Sequence, residues 1–176
     1  MTKALVKSTV VALSLVSILA TAAGTAASKS TVMHKGNMPA GGWELGTWSC
    51  QGRMMAVGRK PARTENSTLT MQLNAMTRWV DISSSENGRM GFMGHMSRAP
   101  HGVFAGIDNE GDAFMETMGG WAGHTMTMTG TMSGPHGSMR VRDTVTRNSG
   151  TSMRHESFAY IQGAWKRMAY ENCTKM

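Results

Sequence analysis

The stretch HTMTMTGTM, His124 to Met132, sets methionine at positions 126, 128 and 132 with threonine between, an apolar and polar alternation of period two. Successive side chains of an extended strand point to opposite faces, so such a pattern buries one row and leaves the other in water. A helix would need apolar residues three and four apart, and no sustained run of that kind follows Trp43. The period of two recurs instead. STLTMQLNA sets Leu69, Met71 and Leu73 against Thr68, Thr70 and Gln72; TRWVDIS sets Val80 and Ile82 against Trp79; and Met90, Phe92 and Met96 alternate after Asn87-Gly88. Asn-Gly takes the positive φ angles of a tight hairpin turn. Asn109 to Gly111, SGPHG and NSG are further turns. The reading is all-β: eight to ten short antiparallel strands at hairpin spacing, without crossover helices, forming an up-and-down barrel or a sandwich.

The N-terminus has a different character. MTKALVK is basic, STVVALSLVSILATAAG is apolar, and small residues at Thr25 and Ala27 precede a polar stretch. This is the pattern of a secretory signal peptide over residues 1–27. A small, glycine-rich leader, residues 28–42, follows, and residues 43–176 form the barrel domain. The expectation is export, to the periplasm or the exterior, with no membrane span left after cleavage. The 149 residues that remain of 176 suit one domain. Loss of Lys3 and Lys7 lowers the net charge from +7 to +5. The remaining basic residues, as in GRKPAR and RVRDTVTR, are scattered rather than clustered with aromatics, which argues against nucleic acid as a partner.

Two cysteines, Cys50 and Cys173, lie near the ends of the mature chain. In an oxidising compartment they form one disulfide, joining the first strand to the last and sealing the closure of the sheet. No further His or Cys stands at C-x-x-C spacing beside either, so a metal site on them is disfavoured.

Methionine dominates the apolar residues. Beyond residue 27 there are 18 Met against three Leu, three Ile, six Val and four Phe. A domain of this size has to bury an apolar face, so methionine is its main filling, adaptable in shape and similar to leucine in volume. Met71, Met90, Met126, Met128 and Met153, with Trp48, are the candidate lining of an interior ligand cavity. The sharper alternative is a Cu(I) or Ag(I) site, because thioethers are soft ligands. Adjacent residues such as His95 and Met96 point to opposite faces of a strand, but Met93 with His95, and Met153 with His155, share a face, and these four are the candidate metal ligands.

Other constellations are weaker. DNEGD, Asp108 to Asp112, has alternate acids, but an EF-hand would need Glu where Gly119 stands, so a polar hairpin turn is the reading. There is no G-x-S-x-G elbow, and no catalytic residues are assigned. An inward His155 could ligate a haem iron, though a single histidine on a strand is more often structural, and no cofactor is assigned. The five tryptophans, 43, 48, 79, 121 and 165, are packing anchors. ENST and ENCT are glycosylation sequons only in a glycosylating pathway.

Three motifs carry a family resemblance across most of the mature chain. Gly46, Thr47, Trp48 and Cys50 form a G-T-W-x-C start; Gly120, Trp121 and Gly123 form a G-W-x-G turn; and Trp165, Cys173 and Lys175 form the end. Together they resemble a bacterial family of exported proteins, a domain of unknown function with a lipocalin-like β-barrel. The resemblance implies an up-and-down barrel in which Trp48 packs over the base, with a basic residue of the last strand, Lys166 or Arg167, stacked on it. The functional expectation is a non-enzymatic protein that binds a small apolar or amphipathic ligand in the barrel. The alternatives are a periplasmic Cu(I)/Ag(I) binder and a structural, envelope-interacting protein.

Overall fold

The computed structural model describes residues 42–56, 61–77, 79–99, 101–135 and 137–176. The signal peptide and nearly all of the leader therefore lie outside the described residues. Ten strands are present: β1 (Gly46–Met54), β2 (Arg63–Leu73), β3 (Val80–Glu86), β4 (Arg89–Met96), β5 (Val103–Asp108), β6 (Ala113–Ala122), β7 (Thr125–Gly134), β8 (Gly137–Arg147), β9 (Ser152–Ile161) and β10 (Ala164–Lys175). Each pairs antiparallel with its neighbours in sequence, and β10 returns to β1, so the sheet is a closed up-and-down barrel. Closure leaves no unpaired edge.

The seam is sulfur-bonded. Cys50 and Cys173 are direct partners in the β1/β10 register and form a disulfide that joins residues 123 apart. The turns follow from local chemistry: Asn87 and Gly88 both have positive φ, 50° and 76°, and make a two-residue β3–β4 hairpin. In DNEGD the Asp108 carboxylate accepts the backbone N–H groups of Glu110 and Asp112, which makes this segment a hairpin turn.

The inner face carries the methionines. Met71, Met96, Met118, Met126, Met128 and Met153 are buried in one cluster with Trp43, Trp48 and Val80. On β7 the alternation works as expected: Met126, Met128 and Met132 are buried, while Thr129 and Thr131 are exposed. One expectation fails. Met90 is 47% exposed. The register between β3 and β4 slips between Ser84 and Ser85, so Met90 does not share the inward face of Phe92. A one-residue slip exchanges the two faces of a strand, and a bulge produces that slip.

One end of the barrel is closed by aromatic rings. Trp43, just ahead of β1, packs edge-on against Trp48 and Trp121, with ring centres 5.9 and 5.6 Å apart. The Trp48 indole N–H donates to the Glu44 carbonyl at 2.9 Å. The cation stacked on Trp48 is Lys175, 5.3 Å from the ring centre, whose ammonium also donates to the Trp43 carbonyl. It is neither Lys166, which donates to Gln162, nor Arg167, which pairs with Glu156. The register explains the correction, because Lys175 is the β10 residue directly opposite Trp48.

Candidate functional site

The same alternation that buries methionine also points charged residues inward. On β6 the buried row includes Glu116 and Met118; on β8 it includes Val141 and Asp143. Glu116 lies opposite Gly130 on β7, and Gly130 lies opposite Val141 on β8. A Cβ at Gly130 would overlap the carbonyl oxygen of Met115 and the Glu116 backbone. The glycine thus lets β6 and β7 approach closely and leaves the wall beside Glu116 free of a side chain. The Glu116 carboxyl consequently interacts with Asp143 two strands away.

From Asp143 the polar chain continues around the barrel. His155 on β9 sits opposite Val145 on β8 and Glu171 on β10. Its Nε2 is 3.7 Å from Asp143 Oδ1 and its Nδ1 is 3.8 Å from Glu171 Oε2. These separations are ion-pair contacts, longer than direct hydrogen bonds. Ser157 supports Asp143 and Ser67 supports Glu171. The chain Glu116, Asp143, His155, Glu171 and Ser67 thus draws on five strands.

Burial and mutual charge set the protonation states. Burial, and then the Asp143 charge, push the Glu116 carboxyl from 4.5 up to about 9, so it is a neutral acid at pH 7. Burial opposes charge on His155, but Asp143 and Glu171 outweigh it and raise the ring from 6.5 to about 10. Burial likewise pushes Asp143 and Glu171 upward, yet contact with His155 and the serine hydroxyls holds both below the usual carboxylate range. At neutral pH the four groups are one acid, two carboxylates and one imidazolium, a net charge of −1.

The chain is incompletely satisfied. Glu116 is 1% exposed, and neither of its oxygens, nor Asp143 Oδ1, makes a hydrogen bond of ordinary geometry among the described residues. Buried polar atoms without partners are costly and rare. This arrangement can accept hydrogen bonds from a donor group placed beside the methionines.

Of the candidate cavity residues, Trp48, Met71, Met126, Met128 and Met153 share the inner cluster, and Met90 does not. The four candidate metal ligands do not converge. Met93 is 49% exposed on β4, where the neighbouring His95 is bound by Asp81 at 2.7 Å, whereas Met153 is buried in the core. Strands β4 and β9 are not neighbours in the barrel, and the two pairs occupy opposite faces of its wall. His155 is an unsuitable ligand for copper or for haem iron, because each ring nitrogen faces a carboxylate and the ring is protonated. Glu171 lies within 4.8 Å of both cysteine sulfurs, but sulfurs bonded to each other are not thiolate donors.

Sequence reasoning passed over Glu116, Asp143 and Glu171. For the first two the signal was present, because Phe114, Glu116 and Met118, and Val141, Asp143 and Val145, are period-two rows like the methionine rows. Compared with family models and with curated proteins, the chain matches none.

Proposed function

We propose that this is an exported, non-enzymatic barrel that binds a small amphipathic molecule, its apolar part against the methionines and a hydrogen-bond-donating head, an amine or hydroxyl, against Glu116 and Asp143. The observation that carries the reading is the Glu116 carboxyl, 1% exposed on the same buried row as Met118, whose neighbour is Asp143 and whose oxygens make no hydrogen bond of ordinary geometry among the described residues. A ligand donor there would recover a hydrogen bond otherwise forfeited on burial. Methionine suits such a wall, because its flexible thioether adapts to an irregular guest. The disulfide supports export, since such bonds persist in oxidising compartments.

The test is native mass spectrometry of the full chain expressed with its N-terminal segment, followed by titration with dodecylamine monitored by tryptophan fluorescence. The expected result is a retained small molecule, or saturable binding of the amine that weakens in Glu116→Gln. A bare-chain mass together with no saturable response would refute the proposal.

A further inference from the structure

On the outer wall, the segment RVR places Arg140 and Arg142 on the same face of β8, because alternate residues of a strand share a face. There they meet aromatic rings from β9 and β10. The Arg140 guanidinium stands 5.0 Å from the Tyr160 ring centre and 5.7 Å from that of Trp165. The Arg142 guanidinium stands 4.8 Å from Trp165 and 4.7 Å from Phe158. Tyr160 and Trp165 pack edge to face, which fixes the platform under both cations. Thr129, Thr131, Arg140 and Trp165 line an open groove of about 470 Å³ over this platform.

These two arginines differ from others on the barrel. Arg63 pairs with Glu65, Arg98 with Glu44, and Arg154 and Arg167 share Glu156. Among the described residues, Arg140 and Arg142 contact aromatic rings and no carboxylate, and the Nε of Arg142 is buried without a hydrogen-bond partner. A guanidinium over a ring face can still direct N–H groups to an oxyanion, and Arg140, the exposed member of the pair, presents them to the groove. The threonine hydroxyls opposite can both donate and accept, as sugar hydroxyls require.

We propose that this groove binds an acidic glycan, a chain of uronate sugars whose carboxylates meet the arginines and whose hydroxyls meet Thr129 and Thr131. Charge complementarity favours it, with a net charge of +7 on the chain, Arg140 lining the groove and Arg142 beside it on the same aromatic platform, neither paired with a carboxylate among the described residues. Single-stranded nucleic acid is the less suitable polyanion, because bases need free ring faces and each ring here already carries a guanidinium. The site is on the outer wall and does not depend on the interior ligand.

The test is calorimetric titration of the full chain with hexagalacturonate, a neutral glucose hexamer and a DNA hexanucleotide. Saturable uronate binding is expected, weakening as salt rises, with no binding of the neutral hexamer and weaker binding of DNA. Arg140→Gln, an exposed change, should weaken uronate binding roughly tenfold through loss of a charge-assisted fork, and Thr131→Val should weaken it less. Arg89→Gln, on the β3–β4 hairpin, should leave it unchanged. Melting curves confirm that the variants fold. The proposal is overturned if uronate fails to bind, if DNA or the neutral hexamer binds as tightly, or if Arg89→Gln weakens binding as much as Arg140→Gln.

Discussion

Replacing Glu116 with glutamine isolates the cost of a buried acid. The Glu116 carboxyl is 1% exposed and is raised from 4.5 to about 9, first by burial and then by Asp143. At pH 7 it holds its proton in the folded chain and loses it in the unfolded chain. A group with a raised folded pKa contributes stability that is whole below its unfolded pKa and lost as pH rises through its folded pKa, here between 4.5 and about 9. By pH 7 about 2.5 units of that window have been crossed, and at about 1.4 kcal/mol per unit the loss is about 3 kcal/mol. Glutamine has the shape of the neutral acid, does not titrate, and offers an amide that can donate to Asp143. The titrations of His155 and Glu171 occur in both proteins and largely cancel in the comparison. Urea unfolding of both proteins from pH 5 to pH 8 should therefore show the variant gaining on the parent by about 1.4 kcal/mol per pH unit. A stability difference that is flat with pH, or that shrinks as pH rises, would mean that Glu116 is ionised in the fold.

Removing the cation between buried Asp143 and half-buried Glu171 should instead be damaging: His155→Leu is expected to cost about 2 to 3 kcal/mol at pH 7, measured by urea unfolding, less than for a fully buried pair because the ring is half-buried, and an unchanged stability would deny the ion pairs with Asp143 and Glu171. The parent should also lose stability as pH rises from 6.5 through about 10, the window of the raised His155, and the variant should lack that component. The disulfide closes a 123-residue separation, so Cys50→Ser with Cys173→Ser should cost about 4 to 5 kcal/mol on the chain-entropy model, read from denaturant midpoints; an unchanged midpoint would show that the β1/β10 seam holds without sulfur. Limited peroxide treatment followed by peptide mass mapping should, among the described methionines, oxidise Met76, Met176 and Met115 first, at 95%, 80% and 64% exposure, and spare Met126 and Met128 at 2% and 4%; equal rates would mean that the interior is open to solvent.

How far the sequence exposes this architecture depends on which structural level is being read. The β7 row is visible residue by residue, because period two is a property of one strand and TMTMTGTM keeps it, with Gly130 the one inward position that lacks a side chain. The same rule places Met90 inward, yet it is outward, because a register shift belongs to a pair of strands and is not written in either one alone. The partner of Trp48 shows the same limit: Lys166, Arg167 and Lys175 are all basic residues of β10, and only the pairing with β1 selects the last. Charge is where this matters most. RVR looks like scattered solvated arginine in one dimension, yet β9 and β10 bring Phe158, Tyr160 and Trp165 under it. Glu116 and Asp143 stand on apolar rows of their own strands, and that much is legible in one dimension. What no single strand contains is the way Gly130 lets the first carboxyl reach the second, or the way His155 then divides its charge between Asp143 and Glu171. The methionine filling is thus a property of strands, and the charged chain within it is a property of closure. Variants at Glu116 or His155 probe the assembled barrel, whereas a variant at Thr127 probes one ribbon of it.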